Sequence, residues 1–288
     1  MTTNLYLSTR AGGASRNMAA EAVLLEGDGT AAALALKPVQ PTRIAGRVAG
    51  RVLVLAVHGF NVGFESGVRS FALLQKALEA RLPGRYLMVG VLWPGDFIVP
   101  AINYPGEWRD AVDSGRLVAA HCNRYFGEAA DICFLSHSLG GRLTLEAVAN
   151  LDRPAGGVCL TASATDDDCL EEPYDASVAN SRRMTYLASR KDLVLRLAYP
   201  IGDWAGDVFL GDRDNAFRGA LGRNGAKWPR TKKKTVDGLI LDDRLKYDHG
   251  NYFPSGKAGD AASASSLAVA SFAATFFEEG RAIWPPPP

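Results

Sequence analysis

The 288-residue chain lacks several features that would assign it to a specialised class of protein. Its apolar runs, such as Val52–Val57, are far shorter than the roughly 20 residues of a transmembrane helix, and residues 1–25 lack the apolar stretch of a signal peptide. Its 32 basic and 31 acidic residues leave no charge excess to attract nucleic acid or an anionic membrane. We therefore expect a cytoplasmic protein that acts on a small molecule, with no nucleic-acid partner and no stable membrane insertion.

Cysteine and histidine are both scarce, with four residues of each type. Four cysteines in a chain of this length do not form a disulfide framework, and Cys133 and Cys159 lie in apolar runs where a thiol behaves as a small hydrophobic group. The sequence contains no C-x-x-C pair and no H-E-x-x-H pattern, so no zinc site is indicated. We expect reduced cysteines and chemistry that needs neither a metal nor another cofactor.

Short apolar runs alternate with longer amphipathic segments, a pattern typical of a mostly parallel sheet covered by helices. The runs are continuous rather than alternating, as in strands buried on both faces. The amphipathic segments carry apolar residues at helical spacing. The predicted strands are 52–57, 86–92, 131–136, 157–162 and 183–188, with a weaker one at 236–242, and the predicted helices are 64–82, 107–126 and 141–151.

The length and the 47% hydrophobic content suit a single α/β domain with one large core. We expect peripheral antiparallel strands in residues 1–50, a catalytic core in 50–255, a terminal helix in 256–280 and a tail without a core role in 281–288. The irregular segment 193–235 is predicted to pack partly over the site, and its basic cluster at 230–234 to be a solvated loop. About twenty residues separate the strands at 157–162 and 183–188, too few for a large cap domain.

The segment Ser136–Gly141, with the sequence SHSLGG, directly follows one predicted strand and precedes a predicted helix. A sharp strand-to-helix turn can project a serine hydroxyl above a sheet, where it can act as a nucleophile. Such a turn needs small residues two positions before and after the serine, and here these are Ser136 and Gly140. The pattern S-x-S-x-G in this context makes Ser138 the predicted nucleophile rather than an ordinary helix cap.

Two backbone amides are expected to stabilise an oxyanion beside Ser138. The amide of Leu139 lies at a helix N-terminus, where unpaired N–H groups favour negative charge. The strand 52–57 ends in the sequence HGFN, and Gly59 there would let the main chain approach a reacting carbonyl. We assign the second donor to Phe60, with Asn61 as an alternative or helper, and expect His58 to hold the loop through hydrogen bonds.

Three segments of the chain, VHGFNVGFESGVRSFALLQ, VLWPGDF and FLSHSLGGRL, together resemble a bacterial α/β-hydrolase family of largely uncharacterised function that is related to esterases and lipases. The resemblance covers residues 50–255. It implies the α/β-hydrolase fold, a Ser-Asp-His triad, an oxyanion hole at the HGFN loop and hydrolysis of carboxylic esters. This sequence departs from the wider esterase pattern in having Ser136 at the first glycine of the motif.

The general base can be assigned by elimination among the four histidines. His58 and His137 lie beside the motifs, and His121 lies in a predicted helix. His249 follows the last predicted strand, where this fold places its base. We therefore predict His249 as the base.

The acid of the triad must accept a hydrogen bond from the base and stabilise the imidazolium. Asp192 follows the strand 183–188, a usual position for the acid, and is the favoured candidate. Asp166, Asp167 and Asp168 follow the preceding strand and remain alternatives, although they could instead form a helix-capping cluster.

A serine rather than an aspartate at the tip of the strand-to-helix turn favours acyl transfer over chemistry that forms an alkyl-enzyme ester. The predicted reaction is ester hydrolysis through an acyl-enzyme, and the alternatives are a thioesterase, a peptidase, an acyltransferase or a non-catalytic binding scaffold. Asn61, His137 and Trp93 are predicted to contact the substrate. Further apolar candidates for the pocket are Phe97, Ile98, Ile102, Tyr104 and Trp108.

Overall fold

The fold is built on a mixed sheet whose central strands are the continuous apolar runs of the sequence. A computed structural model describes residues 3–96, 104–197, 219–227 and 236–284. Strands with apolar side chains on both faces are stable only when both faces are covered. The strands within these residues are β1 (Asn4–Arg10), β2 (Met18–Gly27), β3 (Lys37–Pro38), β4 (Val52–Val57), β5 (Tyr86–Leu92), β6 (Asp131–His137), β7 (Gly157–Thr161), β8 (Met184–Ala188) and β9 (Leu239–Ile240).

The strand order within the described residues is β3-β2-β1-β5-β4-β6-β7-β8-β9. All neighbours from β1 to β9 along this order are parallel, whereas β2 and β3 pair antiparallel at one edge. The carboxyl ends of β4, β6 and β8 therefore meet at one edge of the sheet, which is where ligands bind in open α/β sheets. This is the mostly parallel α/β-hydrolase architecture predicted from the sequence.

Three helices, α2 (Phe64–Glu79), α3 (Tyr104–Tyr125) and α4 (Gly140–Ala149), follow the predicted amphipathic segments, because their apolar faces cover the sheet. Helix α2 packs against α8 (Ala264–Glu279), and α3 packs against α4. Helix α4 starts two residues after Ser138, so the last strand residue and the first helical turn flank this serine. The described helices are α1 (Pro41–Val48), α2 (Phe64–Glu79), α3 (Tyr104–Tyr125), α4 (Gly140–Ala149), α5 (Asp175–Ala179), α6 (Leu193–Leu197), α7 (Leu221–Asn224) and α8 (Ala264–Glu279).

The N-terminal segment differs from the prediction of peripheral antiparallel strands in two ways. Strands β1, β2 and β3 pair antiparallel, but β1 is buried along its whole length and also pairs parallel with β5. Helix α1 was not predicted. The apolar side chains of Leu5 and Leu7 explain the burial of β1, because both belong to the main core.

The C-terminal segment also differs from the prediction of a tail without a core role. The ring of Trp284 packs against Tyr247 and Phe272, with centroid distances of 5.3 and 6.0 Å. A tryptophan adds a large apolar area to whatever it covers, so this residue extends the core. Residues 285–288 lie outside the described part of the chain, as does the basic cluster at 230–234.

Residues 162–183 connect β7 to β8 and contain one short helix, α5. This connection is too short to form a cap domain, as predicted. No helix in the described part of the chain has the length and apolar content that crossing a bilayer requires.

Candidate active site

Ser138 lies at the tip of the turn between β6 and α4, at the carboxyl edge of the sheet. Its φ of 54° is in the left-handed region, which a serine rarely adopts. Such strain is typical of turns that expose a nucleophile. A Cβ atom at Gly140 would overlap the carbonyl oxygen of His58, so only glycine fits there, and Ser136 is fully buried. Small residues at these two positions therefore allow the turn to form.

Three side chains from separate loops form one chain of hydrogen bonds at this edge. Ser138 Oγ lies 2.8 Å from His249 Nε2, and His249 Nδ1 lies 2.8 Å from Asp192 Oδ2. A carboxylate only accepts hydrogen bonds, so Nδ1 of the neutral ring donates and Nε2 is left as an acceptor. The structure thus presents the serine hydroxyl to a basic nitrogen.

The loops that carry Asp192 and His249 are tied together. Asp192 is fully buried, and its Oδ1 accepts the amide of Leu195 at 2.9 Å, which fixes the carboxylate plane. Asp248 Oδ1 accepts the amides of His249 at 2.8 Å and of Leu193 at 3.0 Å. Sequence reasoning missed Asp248. The run Asp-His-Gly-Asn is a capping pattern that could have indicated it, since Asn251 Oδ1 in turn accepts the amide of Asp248.

The alternative acids after β7 face a different part of the chain. Asp167 is fully buried, and its Oδ2 lies 2.9 Å from Lys227 Nζ and 3.1 Å from Asn224 Nδ2. Asp166 forms a strand-like bridge with Ala220. The carboxylate that contacts His249 is that of Asp192.

The loop after β4 lies directly against Ser138. A Cβ at Gly59 would lie 2.7 Å from Ser138 Cβ, so glycine permits this close approach. The amide of Asn61 donates to the carbonyl of Gly95 and is therefore not available to a substrate. The amides of Phe60 and Leu139 donate to no acceptor within the described residues. Among the residues that the structure describes, the predicted donors at Phe60 and Leu139 thus have no competing acceptor.

Trp93 does not contact the substrate as predicted, because its side chain is fully buried. Its indole N–H donates to the carbonyl of His58 at 2.9 Å, and the two rings stack with centroids 5.6 Å apart. His58 Nδ1 lies 2.8 Å from the carbonyl of Gly59, in agreement with a structural role. Burial lowers the pKa of His58 to about 3, so the ring is neutral. These two residues hold the loop rather than line a pocket.

His137, also predicted to contact the substrate, supports the loop of His249. Its Nε2 donates to the carbonyl of His249 at 2.9 Å, and the two rings have centroids 4.8 Å apart. Its ring also stacks on Tyr252 and Phe253. Burial and the neighbouring His249 lower the pKa of His137 to about 3. The ring of His137 is thus held between His249 and the residues that follow it in the chain.

The remaining predicted site residues differ in exposure, and some lie outside the described residues. Phe60 is 36% exposed, and Asn61 is exposed. Trp108 is half-buried, with the guanidinium of Arg142 5.1 Å from its ring centroid. The predicted pocket residues Phe97, Ile98 and Ile102 lie outside the described residues, and the side chain of Tyr104 is likewise not described. Among the described residues, no group of three His, Cys, Asp or Glu could hold a metal ion.

The sequence was compared with family models, curated proteins and solved structures. The model described as "Alpha/beta hydrolase of unknown function (DUF900)" matches residues 40–217, a region that includes Ser138 and Asp192 and ends before His249. No curated protein sequence is significantly similar to the chain.

Several solved esterase structures are similar to this chain, at low sequence identity. An esterase of Pyrobaculum calidifontis has a TM-score of 0.47 at 11% identity, covering 98% of this chain and 86% of that chain. Esterase B of Lactobacillus rhamnosis has a TM-score of 0.46 at 10% identity, covering 96% of this chain and 87% of that chain. Carboxyl esterase 2 of Tuber melanosporum has a TM-score of 0.46 at 13% identity, covering 96% of this chain and 85% of that chain. Because the family model spans more than half of its length, the chain belongs to the family of alpha/beta hydrolases of unknown function.

Proposed function

We propose that the protein is a serine hydrolase that cleaves small-molecule carboxylic esters through an acyl-enzyme. The observation that carries the proposal is the unbroken hydrogen-bond chain from Ser138 Oγ through His249 to the buried carboxylate of Asp192. A nucleophile, a base that can take its proton and a group that orients the base are the parts that acyl transfer requires.

The proposed reaction has two steps. Ser138 Oγ attacks the ester carbonyl carbon while His249 Nε2 takes the hydroxyl proton, and the resulting imidazolium then protonates the leaving alcohol. The products of this step are the free alcohol and an acyl ester on Ser138. Water attacks that ester, giving its proton to His249, and collapse of the second tetrahedral intermediate returns the proton to Ser138 and releases the acid.

Asp192 has two roles in this proposal. It holds the tautomer of His249 in which Nε2 accepts, and it stabilises the imidazolium that forms during attack. Full burial strengthens the second effect, because charges interact more strongly where water is excluded. His137 and Asp248 keep the loop of His249 in place.

The amides of Phe60 and Leu139 are the proposed oxyanion donors. Gly59 brings the first toward Ser138, and the second lies at the N-terminus of α4, where the helix dipole favours negative charge. Loss of one such donor typically lowers kcat by about 10²- to 10³-fold. The exposed ring of Phe60 offers an apolar contact for the substrate beside the reacting carbon.

Hydrolysis of p-nitrophenyl esters from acetate to palmitate tests the proposal. We expect turnover by the wild type, at least about 10³-fold loss of kcat in Ser138→Ala, and no change in Ser265→Ala, a serine in the first turn of α8. Thioester and amide substrates of matched acyl length distinguish an esterase from a thioesterase or peptidase, and added alcohol detects acyl transfer. Absence of turnover on every substrate class would refute the proposal and favour a binding scaffold.

A further inference from the structure

Arg10, the last residue of β1, carries a fully buried guanidinium that reaches the loop after β4. Its Nη1 donates to Asp96 Oδ1 at 2.8 Å and to the carbonyl of Ser15 at 3.0 Å, and its Nη2 donates to the carbonyl of Val62 at 3.3 Å. A buried charge is costly unless it is paired and hydrogen-bonded. This arginine is therefore held by a specific set of partners.

The sheet brings Arg10 to the catalytic edge. Strand β1 runs parallel to β5, with Ser8 opposite Leu92, so the end of β1 lies beside the segment that follows β5. Asp96 belongs to that segment and is mostly buried in its pair with Arg10. The parallel register thus places the ion pair at the same edge as Ser138.

The segment after β5 already holds the loop on both sides of Phe60. Before Phe60, the carbonyl of His58 accepts the indole N–H of Trp93. After it, the amide of Asn61 donates to the carbonyl of Gly95. Within the described residues the amide of Phe60 itself donates to no acceptor, so it can bind a substrate oxygen.

The loop also needs support from outside, because its own conformation is not the intrinsically preferred one. Asn61 has a φ of 59°, in the left-handed region, and Gly59 places little steric restriction on its neighbouring peptides. Arg10 supplies such support by binding the carbonyl of Val62, the next residue along the chain. Its pairing with Asp96 connects that carbonyl to the segment that follows β5.

We propose that Arg10 is a positioning residue for the oxyanion donor at Phe60. This inference rests on the hydrolase function proposed above. The guanidinium holds the loop so that the Phe60 amide points toward the oxyanion without rearrangement during the reaction, which is the condition under which such donors act. Residues 40–217 match the family model, so β1 adds a functional contact from outside the matched region.

Two substitutions of Arg10 test the inference by ester hydrolysis. In Arg10→Lys a cation remains beside Asp96, but one nitrogen replaces the two that bind Asp96 and Val62 separately. In Arg10→Met the charge is removed. We expect kcat to fall about 10-fold in the first and up to about 100-fold in the second, less than for complete loss of a donor, with KM changed by less than about 3-fold. Arg47→Met, a change in α1 that removes an exposed ion pair with Glu26 of β2, should leave kcat unchanged.

A second readout separates positioning from stability. The rate of inactivation by a p-nitrophenyl phosphonate, whose phosphoryl oxygen needs the same amides, should fall in parallel with kcat, while thermal unfolding shows that Arg10→Lys is folded. If folded Arg10→Lys keeps kcat within about 2-fold of wild type, or changes only KM, the inference is wrong and the proposed function stands. If the wild type neither hydrolyses esters nor reacts with the phosphonate, both fail.

Discussion

Asp192→Asn changes one atom of the hydrogen-bond chain and should nearly abolish turnover. Asp192 Oδ1 accepts the amide of Leu195, so an asparagine keeps its oxygen there and turns its NH₂ toward His249 Nδ1. Two donors cannot face each other, so the neutral ring must move its proton to Nε2. That nitrogen then donates to Ser138 Oγ and cannot accept the proton of the attacking hydroxyl.

The wrong tautomer should lower kcat about 10⁴-fold, or about 5 kcal/mol of transition-state stabilisation at 25 °C. The assay is p-nitrophenyl butyrate hydrolysis at pH 7, with thermal unfolding to show that the variant is folded. Asp167→Asn is the matched control, because Asp167 is also buried but pairs with Lys227, and its kcat should change by less than about 3-fold. A folded Asp192→Asn that keeps more than a tenth of wild-type kcat, or a larger loss in Asp167→Asn, would refute the assignment.

Three further predictions follow from the packing of the site and of the buried histidines. Gly140→Ala should lower the free energy of unfolding by about 1–3 kcal/mol in urea titrations, because the added methyl group overlaps the carbonyl of His58; unchanged stability would contradict this geometry. His137→Phe should lower kcat about 10-fold with KM unchanged, since its lost bond to the carbonyl of His249 loosens the base, whereas a raised KM alone would indicate substrate contact. Burial lowers the pKa of His121 to about 4, so the unfolded chain binds the extra proton below about pH 6.5 and stability falls as the pH drops from there toward 4. Between pH 7 and 5, the free energy of unfolding of His121→Phe, measured in urea titrations, should therefore fall by about 2 kcal/mol less than that of the wild type. An equal fall in both proteins would contradict the burial of a neutral ring.

The parallel strands could be predicted because their apolar runs are continuous. The predicted strands 52–57 and 86–92 match β4 and β5, and 131–136 differs from β6 by one residue. Residues 1–50 are predicted to be peripheral because the segment is rich in Ala and Gly, and this segment contains β1. Its burial depends on pairing with β5 across a long stretch of chain, which local sequence does not encode.

The positions of Ser138 and His249 could be inferred from local patterns, whereas their surroundings could not. Asp192 and Asp167 both follow strand ends, and only the tertiary structure shows which carboxylate contacts His249. Trp93 follows β5 as a pocket residue could, yet its indole points into the core and bonds His58. The direction of a side chain just beyond a strand depends on the local turn.

The contacts of Arg10 were also beyond sequence reasoning. An arginine that ends a short strand is usually solvated, and its ion pair with Asp96 spans 86 positions of the chain. Contacts of this kind depend on the strand order of the sheet. The structure therefore adds most where residues distant in sequence act on the same loop.

Labelling by a fluorophosphonate, with the adduct located by mass spectrometry, tests the central claim most directly. The reagent forms a bond only with an activated nucleophile, so we expect one adduct per chain, on Ser138, absent in Ser138→Ala and formed far more slowly in Asp192→Asn. A folded wild-type protein that remains unlabelled, or one labelled at another residue, would contradict the proposal that Ser138, His249 and Asp192 act together as a catalytic unit.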